Sequence, residues 1–214
     1  MTTKLNLTVD EVLSTTRAVR RRLDVTRPVP RTVIEECLEL ALQAPNGSNR
    51  NDWRWIIVDD RDMVRKVASE YRAAMSLLSS GQMPSPRYLT GATGDDKITS
   101  SAMALTEKLD DIPAFLVPLM PGNVEGRTAV EQAAMWGSIV QAVWSFMLAL
   151  RERGLGSLWA TVSTRRAQEI FDLLGVPQGE FTLLGTFPIA YTVGTDFKRA
   201  PRKPVSEVLS YNCF

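Results

Sequence analysis

Apolar positions along the chain recur with two periods, and the switches between them outline a set of elements. Val33, Ile34, Cys37, Leu38, Ala41 and Leu42 follow one another at helical spacing, and Thr32 with Glu35 has the form of a capping box opening a helix that stops at Pro45. A short helix over 9–16 precedes it and leads into a basic run from Arg17 to Arg22. Trp53 to Val58 alternates and branches as a strand does, another helix spans Asp62 to Leu78, and Pro113 to Met120 is an apolar run of buried-strand length. Ser163 and Thr164 stand as caps for a helix from Ala167 to Leu174, which Gly175 stops. Phe181 to Val193 alternates as a strand around Pro188, and a basic tail with prolines precedes a last short helix.

Two segments break the pattern. Ser79 to Ser101 is rich in Ser, Gly, Pro, Thr and Asp, too long for a plain connection, and predicts a binding loop or lid. Arg127 to Arg153 reads as one helix of about 40 Å, at 1.5 Å per residue. It carries no charge from Gln132 to Leu150, which approaches the length of a membrane span. Gln132, Gly137, Ser138, Gln141 and Ser145 recur through it, however, and favour a helix buried on nearly all sides, in a core or between two subunits. Ala133, Gly137 and the Gln141-Ala142 step leave room for a partner helix. With no repeat and no domain-sized linker, residues 1–214 are expected to form one domain.

Composition narrows the chemistry. With 214 residues, 44% hydrophobic and 23% charged, the chain is an ordinary globular sequence, and its net charge of +1 argues against binding nucleic acid through a general basic surface. It has no His, which excludes Ser-His-Asp and Cys-His catalysis and His-ligated zinc. Two cysteines, Cys37 and Cys213, make neither a zinc site nor a disulfide framework, and the start of the chain lacks the pattern of a secretory signal, so a reduced, cytoplasmic setting is expected. No P-loop is present, and Gly154 and Gly156 lack the rest of a dinucleotide fingerprint.

What remains is a group of polar segments that make sense around one anionic cofactor. On a helical turn Arg17 and Arg21 would share a face, as two forks for a phosphate monoester; a solvated basic face is the plainer alternative. Asn46-Gly47-Ser48-Asn49-Arg50-Asn51 offers amides able to read a heterocycle, though such residues also make good turns. Arg199 to Lys203 adds a basic tail.

In this order the segments resemble the FMN-dependent nitroreductase family. Its members typically carry R-x-S-x-[RK]-x-F, then A-P-S-x-x-N-x-Q-P-W, and close with a K-x-R or P-R-K-P type tail. The counterparts are RAVRRRLD (17–24), APNGSNRNDW (44–53) and APRKPVSEVL (200–209), and GLGSLWATV (154–162) is similar to a flavin-lining segment. The resemblance runs from about residue 9 to 209 and implies an α+β fold with an antiparallel-rich sheet wrapped by helices, and a homodimer with FMN at the interface. It further implies that Arg17 and Arg21, with Ala18 and Val19 between them, hold the phosphate or ribityl chain, joined from the tail by Arg199 and Arg202. In a second register Arg20 takes the place of Arg21. Pro45, Asn46, Gly47, Asn49 and Asn51 would line the flavin, and Trp159, Ala160 and Thr161 would approach its ring through backbone groups. Val19 stands where the family has Ser, Asn51 for Gln, Asp52 for Pro and Ala200 for Lys, which implies phosphate contacts moved to Arg199 or Arg20. The activity implied is transfer of electrons from NADH or NADPH to a nitroaromatic, quinone or related acceptor in a ping-pong cycle, with the flavin carrying the chemistry and no metal. Specialised dehydrogenases or dehalogenases, and a flavin binder without turnover, are the alternatives.

Overall fold

The computed structural model describes residues 3–80 and 96–214. The elements in chain order are α1 (Val9–Thr15), β1 (Leu23–Asp24), α2 (Arg31–Ala41), β2 (Arg54–Val58), α3 (Arg61–Ser79), α4 (Asp96–Thr106), β3 (Ala114–Pro121), α5 (Ala129–Glu152), β4 (Leu155–Gly156), α6 (Ala167–Leu174), β5 (Phe181–Leu183) and β6 (Phe187–Thr192). Six strands form one sheet in the order β1-β6-β3-β2, with β4 beside β6 and β5 beside β3, and the strand pairs are antiparallel. This is an α+β architecture, an antiparallel sheet with helices packed on it, as expected.

β3 explains how the layers assemble. Its apolar run is buried at every position from Ala114 to Met120 because both of its faces are covered. Ala114, Leu116 and Met120 enter a core made with α2 and α5; Phe115, Val117 and Leu119 enter a second core with α3 and α6. α2 contributes Val33, Ile34, Cys37 and Ala41 to the first core, at the spacing the sequence predicts.

Several local expectations are corrected. α2 begins at Arg31 directly after Pro30, so Thr32 lies inside the first turn and cannot cap it, and the helix closes at Ala41 rather than running to Pro45. The capping boxes form instead at Thr8 with Glu11 and at Thr128 with Glu131. Within Ser79–Ser101, Ser79 ends α3 and Asp96 onward is helical, α4 being anchored by the fully buried Leu105. The rest of the expected lid, 81–95, lies outside the described residues. Ser163 does not cap α6: a 3-10 turn over Thr161–Arg166 intervenes, and the Ser163 hydroxyl donates to the Ala160 carbonyl (2.6 Å). The expected strand from Phe181 to Val193 is two strands, interrupted where Trp159 Nε1 donates to the Leu184 carbonyl (2.7 Å) and lies against Gly185 at φ 142°.

α5 is not buried on nearly all sides within the chain. Its buried residues begin at Ile139 and belong to the C-terminal half, while Val130, Ala133, Ala134, Gly137, Gln141 and Trp144 face outward. The helix is long and apolar enough to cross a membrane, yet its C-terminal half is core, with Phe146 and Leu150 fully enclosed.

Candidate functional site

The basic run is not helical. α1 ends at Thr15, and Thr16 turns the chain into an extended path (φ −69°, ψ 136°). Ala18 bridges Ser157 in parallel, and the Val19 amide donates to the Ser157 carbonyl (2.9 Å). The close approach requires Gly156: an added Cβ would stand 2.9 Å from Cβ and Cγ2 of Val19 and from Cγ2 of Thr192. Arg17 and Arg21 are therefore not joined by an i,i+4 face. The Val19 side chain is buried and brings no polar atom to this junction.

The arginines part company as a result. Arg17 turns inward, its Nε and Nη2 buried with no hydrogen-bond partner among the described residues. Arg21 is exposed and donates Nη2 to Ser100 Oγ (2.8 Å). Arg22 donates Nε to the Val193 carbonyl (2.7 Å) and pairs with Asp196 (2.6 Å). Arg20 lies near Tyr71, whose phenol burial pushes up and the Arg20 charge partly pulls back. Phe197 sits among three guanidinium groups, those of Arg22, Arg151 and Arg17 lying 4.2, 5.1 and 5.7 Å from its ring. The tail follows: Arg199 and Arg202 line a cleft of about 540 Å³ with Asp10, Ser14, Thr16 and Trp144. Thr16 also borders a small hollow lined by Arg17, Arg151, Ser157 and Phe197. The first motif, the glycine segment and the tail thus meet around Thr16.

Trp159 follows two positions after Ser157. It is 41% exposed, held by its bond to Leu184 and stacked on Phe187 at 6.2 Å. The Ala160 amide donates to the Thr186 carbonyl (3.0 Å), and its own carbonyl accepts from Ser163, so both backbone groups of Ala160 are engaged within the protein. Thr161 beside it is exposed.

The amide-rich segment is elsewhere. Asn46 Nδ2 donates to Asn51 Oδ1 (2.8 Å), the Asn51 amide donates back to Asn46 Oδ1 (3.1 Å), and Asn51 Nδ2 donates to Asn49. Ser48, Asn49 and Asn51 adopt φ of 57°, 51° and 52°, in the left-handed region, which this mesh of side-chain bonds maintains. The Gly47 amide donates to Ser138 Oγ (2.9 Å), tying the loop to α5. Asn46, Gly47 and Trp53 line a separate cavity of about 180 Å³ with Met120, Met135 and Ser138; Pro45 and Asn49 lie exposed at the ends of this loop. Ser138 and Arg151 are thirteen positions apart on one helix, about 20 Å along its axis, so the two halves of the expected site lie that far apart along α5.

Among the described residues no cluster of His, Cys, Asp or Glu is able to hold a metal ion. Cys37 is fully buried, and burial pushes its thiol up to about 12. Arg151, Ser157 and Ser138 are not among the site residues expected from the sequence. The available signal for Arg151 was its place as the first charge after the uncharged stretch of α5.

The family model for the nitroreductase family matches residues 13–191, most of the chain. The chain belongs to the nitroreductase family. A curated relative, a putative NADH dehydrogenase/NAD(P)H nitroreductase of Archaeoglobus fulgidus, is 26% identical over 171 residues, covering 78% of this chain and 76% of its own. Among solved structures, the FMN and NADPH-dependent nitroreductase NfnB of Sphigopyxis sp. strain HMH superposes with a TM-score of 0.72 at 21% identity, covering 97% of this chain and all of its own. Iodotyrosine deiodinase bound to FMN and 3-iodo-L-tyrosine superposes at 0.66 with 24% identity, over 94% of this chain and 98% of its own. These structures share the fold of this nitroreductase-family chain; which acceptor it serves is a matter of its own site.

Proposed function

We propose that this nitroreductase-family protein is an FMN-dependent oxidoreductase that passes electrons from NAD(P)H to a small organic acceptor, a nitroaromatic or quinone, in a ping-pong cycle. The observation that carries the reading is the inward edge of Arg17: two buried guanidinium donors without an acceptor among the described residues, beside a glycine-dependent backbone approach, with the exposed Trp159 two positions beyond Ser157 in the chain. Such an edge suits a phosphate, the group that distinguishes FMN from an uncharged ring. The Archaeoglobus and Sphigopyxis proteins, described as NAD(P)H and FMN/NADPH enzymes, support the same choice.

FMN, once bound, supplies the two-electron chemistry, and the protein holds and orients it. Arg17 holds the phosphate, and Arg199 and Arg202 add positive charge across the neighbouring cleft. Trp159 and Thr161 border the ring, and the left-handed Asn49 and Asn51 present a rigid polar edge to it. Because those asparagines lie about 20 Å along α5 from Arg17, a second copy completes the site. Two chains packed antiparallel through the exposed face of α5 would set Ser138 of each copy against the Arg151 end of the other. Midway between those positions lies the exposed Trp144, close to the twofold axis of such a homodimer.

Absorbance of the purified protein tests the reading. Flavin bands, FMN released on heating, and anaerobic bleaching by NADPH or NADH followed by recovery with a nitroaromatic or quinone are expected. A colourless protein that takes up no FMN overturns it, and flavin bands that neither donor bleaches would make it a binder without turnover.

A further inference from the structure

The hollow beside Phe197 gathers more positive charge than the fold itself neutralises. Arg151, 5% exposed, donates Nε to Thr15 Oγ1 (3.1 Å) and Nη2 to the Thr195 carbonyl (3.0 Å), while its Nη1 is buried with no partner among the described residues. Arg17 brings two more such atoms, and Ser157, 3% exposed, brings its unpaired Oγ. Among the described residues no carboxylate lines the hollow. Burial lowers the Arg151 guanidinium from its ordinary range and the charges of Arg17 and Arg22 lower it further, with Glu152 and Glu11 opposing. Buried charged donors without partners are among the most costly features a fold can keep.

The hollow measures about 10 Å³, the size of one water. A water is a poor solution here. It accepts two hydrogen bonds, whereas Arg17 Nε, Arg17 Nη2 and Arg151 Nη1 are three donors, and it carries no charge to set against two cations. An anionic oxygen accepts all three and neutralises part of the charge. Thr16 borders both the hollow and the 540 Å³ cleft of Arg199 and Arg202, so the body of the ligand has room outside.

We propose that Arg151 and Ser157 are phosphate-binding residues that act with Arg17, and that the Ser157 hydroxyl supplies the polar contact that the apolar Val19, which also lines the hollow, does not. The assignment rests on the FMN reading above. It makes recognition of the phosphate, rather than of the ring, the task of the C-terminal end of α5.

Affinities of the apo-protein for FMN and riboflavin, read by quenching of flavin fluorescence, test this. Arg151→Met should weaken FMN by about 10- to 100-fold and Ser157→Ala by about 3- to 10-fold, while riboflavin binding stays within about twofold. Arg151→Lys should recover part of the FMN affinity. Ser157→Ala leaves the structural bonds of Arg151 intact, so its result stands even if Arg151→Met fails to fold. An FMN-to-riboflavin ratio equal to that of the wild type in Ser157→Ala and in the folded Arg151 variants overturns the proposal while leaving the FMN reading in place. A wild type whose melting temperature rises in inorganic phosphate, with that rise lost in Arg151→Met, but which binds neither flavin, would uphold the anion site and overturn the FMN reading.

Discussion

Gly156→Ala probes the junction on which the candidate site is built. The added Cβ would meet Val19 Cβ, Val19 Cγ2 and Thr192 Cγ2, each at 2.9 Å. Carbon atoms in good contact sit about 3.5–4.0 Å apart, so the shortfall is roughly 0.6–1.1 Å. Val19 Cβ cannot retreat by rotating a side chain; the backbone must move, and with it the Val19 to Ser157 hydrogen bond of 2.9 Å. Overpacking of this kind costs about 1–3 kcal/mol, which for a chain of this size lowers the melting temperature by roughly 2–12 °C. FMN affinity should fall in the same variant, because Arg17 is carried on the displaced segment. Calorimetry and flavin titration measure the two effects. Thr192→Ser removes one of the three close atoms while keeping the hydroxyl that donates to the Gly154 and Gly194 carbonyls, so it should relieve part of the loss, with a coupling of at least about 0.5 kcal/mol. A Gly156→Ala protein that melts within about 1 °C of the wild type and keeps its FMN affinity would refute the close-approach argument.

Other outcomes are equally specific. Trp144→Glu should convert a dimer into a monomer in sedimentation experiments, and an unchanged mass would refute the α5 interface. Thr128→Ala removes the capping box of α5 and should cost about 1 kcal/mol, read as a lower denaturation midpoint at an unchanged slope. In the folded protein iodoacetamide should label Cys213 and spare Cys37, whose thiol burial holds near 12, with both labelled in denaturant; native labelling of Cys37 would contradict its burial. Hydrogen bonding from Arg31 holds the Asp59 carboxyl below its ordinary value, so the pair contributes stability above about pH 4 and loses it as pH falls through the folded value. Asp59→Asn should therefore destabilise by up to about 1 kcal/mol at pH 7 and by progressively less in acid; a pH-independent difference would refute the pairing.

What the sequence disclosed depended on the range of the interactions involved. α2, α3 and β3 were legible because burial on one face of a helix, or on both faces of a strand, writes itself into spacing. The length of α5 was equally plain, but not its division into a core half and an outward half, since an apolar helix face reads the same whether its cover comes from within the chain or from another. The run from Arg17 to Arg22 misled because Arg17 and Arg21 have helical spacing. Their conformation is set by Ser157, some 140 positions away, and the two-residue strand β1 by Tyr191 and Thr192. Asn46, Asn49 and Asn51 looked like turn residues and are, but nothing local announced that their side chains close on one another or that the Gly47 amide anchors the loop to Ser138. Arg151 escaped notice because charges at a helix end are ordinary until the chain that covers this one, from Thr195 to Phe197, is in place.

β3 has a consequence for how the molecule comes apart. Odd and even positions of the same eight residues belong to different cores, so neither core can loosen without exposing the backbone that supports the other. The helical layers on the two sides of the sheet should consequently unfold together, in a single transition, and the amide protons of Phe115 to Leu119 should exchange only when the whole chain opens. Leu116→Ala and Val117→Ala, which remove side chains from opposite sides of the sheet, should then lower the same melting transition and speed exchange at the same slowest amides.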